Sequence, residues 1–352
     1  MKYFPIDNTL FIKNRKHFIE NMLNNSIAFF NSNDCYPVSA DTTLPFEQHR
    51  DLFYLSGVNQ EETILLIYKN NNSNYQEVLF LTKPNDLLTH WEGERLNVEK
   101  AYSISGIKTV YWLDQLDDVV KKIMQNVKIL YLNKNEHYRA KVETETREKR
   151  FNNWIKKEYP SKNLKGSNSI LQKLRSVKSS IEIELIQKAC DITEKGFRRI
   201  LNFVKPGVWE YEIEAEFSHE FLKNRSKKFA YSPIIASGKN STILHYVENN
   251  NQCLKGDILL LDVGAEYANY SSDMTRTIPV SGKFSKRQKS IYNSVLNVKN
   301  EATKLLKPGI LWKDHYEEVG KIMTAELLKL GLLSKSDIQN QTKKNPAFKK
   351  FF

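Results

Sequence analysis

Lys255-Gly-Asp-Ile-Leu-Leu-Leu-Asp-Val-Gly264, followed after the turn-like Ala265-Glu-Tyr-Ala-Asn-Tyr-Ser-Ser272 by Asp273-Met-Thr-Arg-Thr-Ile-Pro-Val280, reads as two strands that fold back on each other. An antiparallel hairpin centred near Tyr267 and Ala268 sets Asp262 opposite Asp273 on one face. Directly opposed side chains lie roughly 4.5–5.5 Å apart at Cβ, where two like charges repel. A cation between them removes that cost. Carboxylate oxygens, alone or with imidazole, suit a hard or borderline divalent ion such as manganese, magnesium or zinc. The spacing alone is equally compatible with a solvated turn whose acids never meet.

On either side of the hairpin a short phrase recurs: Lys205-Pro-Gly-Val-Trp209 returns as Lys307-Pro-Gly-Ile-Leu-Trp312. A helical stretch precedes each copy and another follows it, because Pro stops one helix and Gly permits the turn into the next. Two such helix pairs suggest an internally duplicated domain, with chance similarity of two helix hairpins as the other reading. The first helix starts at a capping box, Ser179 with Glu182, and its apolar face runs on until Pro206-Gly207.

Ahead of this domain, residues 1 to about 173 alternate helix-like and strand-like patterns. Apolar runs rich in β-branched and aromatic residues at 26–30, 63–68, 77–81, 109–112 and 128–132 read as buried strands, with helices near 9–24, 114–126 and 142–158. Pro160-Ser-Lys-Asn-Leu-Lys-Gly166 reads as the linker between the two parts. A chain of 352 residues exceeds the size of one ordinary core, so two domains are expected. The three scattered cysteines, Cys35, Cys190 and Cys253, argue for a reducing compartment, and no apolar run is long enough to span a membrane. A cytoplasmic protein is the expectation. The net charge of +12 is spread among acids and asparagines, a pattern that argues against a nucleic-acid partner and for a solvated surface. His245, beside Ile243 and Leu244, reads on its own as a core histidine in an apolar strand.

Taken together, Ser237-Gly-Lys-Asn-Ser-Thr-Ile-Leu-His-Tyr246, Leu260-Leu-Asp-Val-Gly264 and Ser272-Asp-Met-Thr-Arg-Thr277 resemble the first half of the metal site of aminopeptidase P, the Xaa-Pro aminopeptidases of the pita-bread (creatinase/methionine aminopeptidase) fold. Arg50-Asp-Leu-Phe-Tyr-Leu-Ser-Gly57 with Asn59-Gln-Glu-Glu62 resembles the N-terminal domain that this peptidase carries and methionine aminopeptidases lack. The resemblance implies an α/β protein: a small α/β N-terminal domain, residues 1–173, followed by the first part of a pita-bread domain, residues 174–352. It implies a metal-dependent aminopeptidase that removes the residue preceding proline, acting on peptides with proline at the second position. Two divalent ions, expected to be manganese, would be held with Asp262 on one ion and Asp273 bridging both. By the same resemblance His245 contacts the substrate or the developing oxyanion, Tyr231 lines the substrate pocket and Asp41 lies near the substrate amine. Trp91 matches a tryptophan that reaches a neighbouring subunit's site, which leaves a homo-oligomer open.

The family pattern continues with a histidine and two glutamates in later strands. On that reading this sequence holds two of the five ligands, is C-terminally incomplete and is inactive alone. The alternative is a non-catalytic pita-bread module that binds a polyanionic partner.

Overall fold

Ser26-Ile-Ala-Phe-Phe-Asn31 forms strand β1, and all six of its residues are buried. Side chains alternate across a strand, so Ile27 and Phe29 enter one apolar cluster while Ala28 and Phe30 enter another on the opposite face. A strand buried on both faces belongs at the centre of a sheet covered by helices on each side. The structure, a computed structural model, describes residues 2–72, 74–85, 89–91, 93–134, 142–342 and 345–351. Contacts divide the chain into two units: Met1–Asp191 with Arg225–Lys227 and Glu266–Ser272, and Ile192–Asn224 with Lys228–Ala265 and Asp273–Phe352.

In the first unit a small hairpin, β2 (Pro37–Ser39) and β3 (Thr42–Thr43), follows β1. Next come β4 (Ile64–Lys69), β5 (Tyr75–Leu81), β6 (Thr109–Trp112), β7 (Ile129–Leu132) and β8 (Asn163–Gly166). With β1 they form a six-stranded mixed sheet in the order β6-β5-β4-β1-β7-β8. One face packs on helices Thr9–Asn21, Arg50–Ser56, Val98–Ser105 and Asn168–Ser176, the other on Leu116–Met124 and Arg147–Glu158. Lys69, buried at the end of β4, donates from Nζ to the carbonyls of Ile19 and Met22 at 2.9 and 2.8 Å. It thereby gives the Met22 carbonyl a donor and the Ile19 carbonyl a second one beside Met22 N–H, at the end of helix Thr9–Asn21. Within the expected linker at 160–166, residues Asn163–Gly166 form instead the edge strand β8, parallel to β7. Its short Asn-Leu-Lys-Gly sequence is exposed throughout, so it lacks the apolar run by which a strand is recognised.

Further along are β9 (Ile234–Ser237), β10 (Ile258–Val263), the short strands β11 (Glu266–Tyr267) and β12 (Tyr270–Ser271), which belong to the first unit, and β13 (Met274–Pro279). In the second unit β13, β10 and β9 form an antiparallel sheet in that order. The two Lys-Pro-Gly phrases are helix–turn–helix joints: Gly207 lies between helices Ser180–Phe203 and Glu210–Lys223, and Gly309 between Lys286–Leu305 and Trp312–Lys329. Their φ values of 99° and 91° fall where a side chain is strained, which explains the glycine in both copies. The capping box also forms, with Ser179 N–H donating to Glu182 Oε2 at 2.8 Å and Glu182 N–H to Ser179 Oγ at 3.4 Å. Among the described residues no helix is long and apolar enough to cross a membrane.

Candidate metal centre

Along β10 burial alternates, with Leu259, Leu261 and Val263 packed inward and Ile258, Leu260 and Asp262 on the half-buried face. Asp273 stands immediately before β13 and is exposed. The register differs from the sequence expectation. Asp262 pairs with Thr275 and Val263 with Met274, so Asp273 is diagonal to Asp262 and not directly opposite. The cause is the turn. Ala268 and Asn269 both take positive φ, 52° and 65°, as the two central residues of a tight hairpin turn do, and Asn tolerates that conformation well. The hairpin is therefore centred one residue later than Tyr267 and Ala268, with Tyr267 paired to Tyr270. Arg50, from the Arg50–Gly57 motif, holds this turn by donating to Glu266 Oε2 at 2.7 Å and to Asn269.

A shift of the centre by one residue moves the partner by two, which preserves the face. Asp262 and Asp273 consequently still converge. The Tyr231 hydroxyl donates to Asp262 Oδ1 at 2.6 Å and to Asp273 Oδ1 at 3.1 Å, so both carboxylates lie within reach of one proton. The backbone beside Tyr231 is fixed by Ala230 N–H donating to Gly264 O at 2.8 Å and by a bridge between Phe229 and Ala265. Burial, then the hydrogen bond and charge of Asp262 and the charge of Asp273, push the Tyr231 phenol far above its ordinary range. It stays a donor at any physiological pH.

His245 takes no part in the hydrogen bonds of this trio. It is not in a strand: it lies in an exposed turn after the 3-10 turn Gly238–Thr242, next to Leu244, which is 90% exposed. The core-histidine reading is thereby overturned, because Ile243 and Leu244 face outward. Asp41 is in the exposed turn between β2 and β3, and Trp91 is 78% exposed; both belong to the first unit.

One residue that the sequence did not single out organises the segment around His245. Glu210, fully buried at the start of its helix, accepts from Ser237 N–H and Oγ, both at 2.7 Å, through Oε1. Through Oε2 it accepts from the Tyr246 hydroxyl at 2.7 Å and Asn251 N–H at 2.9 Å. A buried carboxylate with four donors ties β9 to both sides of the turn that presents His245. The signal was weak, since an acid in the first turn of a helix is ordinary.

Among the described residues no three His, Cys, Asp or Glu side chains come together to hold a metal. The donors that do converge, two carboxylates positioned by a protonated phenol, fit one side of an oxygen-rich divalent site.

Residues 184–346 match the model of metallopeptidase family M24, and residues 11–131 match the aminopeptidase P N-terminal domain. Fold and site thus define a two-domain metallopeptidase, with a small α/β domain ahead of a pita-bread domain. The chain is 34% identical over 312 residues to a Xaa-Pro aminopeptidase of Haemophilus influenzae, covering 89% of this chain and 70% of that one. It is 30% identical over 344 residues to a Xaa-Pro aminopeptidase of Escherichia coli, covering 97% of this chain and 77% of the other. Zinc-substituted E. coli aminopeptidase P, solved with product, superposes with a TM-score of 0.84 at 28% identity, covering 94% of this chain and 76% of that one. The chain belongs to the Xaa-Pro aminopeptidase (aminopeptidase P) family.

Proposed function

We propose that the chain acts as a metal-dependent aminopeptidase that releases the N-terminal residue standing before proline. The observation that carries this reading is the convergence of Asp262 and Asp273 on one hydroxyl in a member of this family. Bound divalent ions lower the pKa of a coordinated water and polarise the scissile carbonyl, which is what amide hydrolysis requires. Asp262 would hold one ion and Asp273 would serve two, and an all-oxygen pair suits manganese. Tyr231 is better supported as the group that orients both carboxylates than as a pocket wall, since its hydroxyl is engaged by them.

His245, exposed on a turn pinned at both ends, is suited to donate to substrate or to the oxygen that becomes negative as the carbonyl is attacked. Asp41, an exposed acid, suits a substrate's free amine, and the exposed indole of Trp91 suits a neighbouring subunit's site in a homo-oligomer. The proposed module boundary between residues 173 and 174 lies in the interval between the two matched regions, 11–131 and 184–346. A cytoplasmic location is supported by three free cysteines. The non-catalytic alternative leaves two acids sharing one proton without a role.

Metal dependence predicts that manganese supports hydrolysis of an Xaa-Pro tripeptide and that Asp262 and Asp273 supply carboxylates to it. The test is manganese titration alongside hydrolysis of an Xaa-Pro tripeptide. Asp273→Asn should abolish the binding, Asp262→Asn should be nearly as damaging, and His245→Ala should leave it intact. Manganese binding by Asp273→Asn equal to the parent's refutes the site. Hydrolysis that continues undiminished after chelation of divalent ions refutes the metal dependence.

A further inference from the structure

Between β10 and β13 the hairpin changes sheet. β10 ends at Val263 and β13 begins at Met274, while the intervening β11 and β12 pair with each other in a two-stranded ribbon of their own. Asp262 sits inside β10, laddered to β13 on one side and to β9 on the other. Asp273 lies in neither strand; it falls in the joint between the ribbon, which ends at Ser271, and β13. Its place is therefore set from both ends, by the β13 ladder and by the anchoring of the ribbon. A two-stranded ribbon is marginal by itself, so the anchoring comes from outside it.

The first unit supplies it. Ser226 Oγ donates to the Glu266 carbonyl at 2.7 Å, the Tyr270 hydroxyl donates to Glu182 Oε1 at 3.1 Å, and Phe4 N–H donates to the Tyr267 hydroxyl at 3.2 Å. Arg50 adds a charged tie that engages two residues at once: Glu266 of β11, 5% exposed, at 2.7 Å, and Asn269, whose left-handed φ of 65° makes the turn. Taking the guanidinium away from so buried a carboxylate costs far more than breaking an exposed pair. Arg50 lies in the region that matches the aminopeptidase P N-terminal domain and the ribbon in the region that matches metallopeptidase family M24, yet both belong to the same compact unit.

We infer that Arg50 is a positioning residue for the metal centre: by fixing the ribbon it fixes the approach of Asp273 to Asp262, and so makes metal affinity depend on the N-terminal domain. The guanidinium bonds to Glu266 and Asn269 and acts on Asp273 through the backbone that joins them. The inference rests on Asp262 and Asp273 being the metal's carboxylates. A ligand that loses its support still binds the ion, but less tightly, so the expected effect is graded; such losses are typically about 10–100-fold in metal affinity.

The test is manganese titration of the 352-residue chain, read together with amide exchange and melting temperature. Arg50→Ala is expected to weaken manganese binding about tenfold and to speed exchange between residues 266 and 273. Arg50→Lys keeps a charge for Glu266 but loses the fork that also reaches Asn269, so its affinity should fall between the two. Lys69→Met cuts a buried tie elsewhere in the same unit and should lower the melting temperature with manganese affinity unchanged, which separates positioning from a general loss of stability. If Arg50→Ala does not fold, the double variant Arg50→Met with Glu266→Gln removes the pair without stranding a charge and decides in its place. Binding within about twofold of the parent by the folded variant, even with faster exchange in the ribbon, overturns the inference, and so does an equal loss in Lys69→Met. Asp273→Asn, run alongside, tells the two failures apart: manganese binding equal to the parent's there overturns the site and this inference together, whereas a loss there with none in Arg50→Ala overturns this inference alone.

Discussion

Glu148 offers a direct test of how the first unit is held together. It lies in the first turn of helix Arg147–Glu158, is 2% exposed, and accepts from Asn31 N–H at 3.2 Å and Asn31 Nδ2 at 2.7 Å. Burial raises its pKa from 4.5 to about 7, against the lowering effect of the two Asn31 bonds and with help from the charge of Asp51. A folded pKa above the unfolded one means that the fold prefers the protonated acid. Its stabilising contribution is complete below pH 4.5 and is lost as pH rises through about 7. At 1.36 kcal/mol per pH unit, the gap between 4.5 and about 7 corresponds to about 3 kcal/mol.

Asn31 Oδ1 is buried without a partner, and turning the Asn31 amide over presents it to a proton on Glu148. Glu148→Gln keeps that shape and supplies an N–H where the proton would be. The variant should therefore be more stable than the parent at pH 8 by about 1–3 kcal/mol and should lose most of the decline between pH 5 and 8. Urea unfolding followed by circular dichroism at four pH values in that range measures both quantities. A variant with the parent's pH slope, or one less stable at pH 8, refutes the argument that burial of the charge dominates.

Three further outcomes are expected. Tyr231→Phe removes the proton shared by Asp262 and Asp273 and should lower manganese affinity about tenfold with little change in melting temperature, read by parallel titration and melting. Gly309→Ala should cost about 1–2 kcal/mol in urea unfolding, because φ is 91° and no atom lies near enough for a clash to share the cause. Glu210→Ala orphans four donors and should cost about 3 kcal/mol, with faster amide exchange concentrated between residues 243 and 252 if the carboxylate pins that turn.

The strands legible in the sequence were those whose own residues are apolar and β-branched, such as Ile64–Lys69 and Ile129–Leu132. β8 was not, because an exposed edge strand next to a paired neighbour needs no apolar side chains of its own. Helices Arg50–Ser56 and Val98–Ser105 were too short for a periodic pattern to stand out. The meeting of Asp262 and Asp273 was legible because face depends only on parity. Their spacing was not, because it turns on which two residues adopt left-handed φ, and Ala268 gave no sign of doing so. Glu210 escaped notice because its partners, Ser237, Tyr246 and Asn251, are distant in sequence and become neighbours only on folding.

The central position of β1 also orders events during synthesis. Its neighbours are β4 and β7, and the β7 pairing joins Ser26 to Ile129, so one flank of this wholly buried strand has no partner until a further hundred or so residues have left the ribosome. At roughly 5–20 residues per second that interval is on the order of 5–20 s. Throughout it, Ile27-Ala-Phe-Phe30 presents an open hydrogen-bonding edge, which makes this nascent segment the natural client of a chaperone and the first place where a slowed ribosome would cause aggregation.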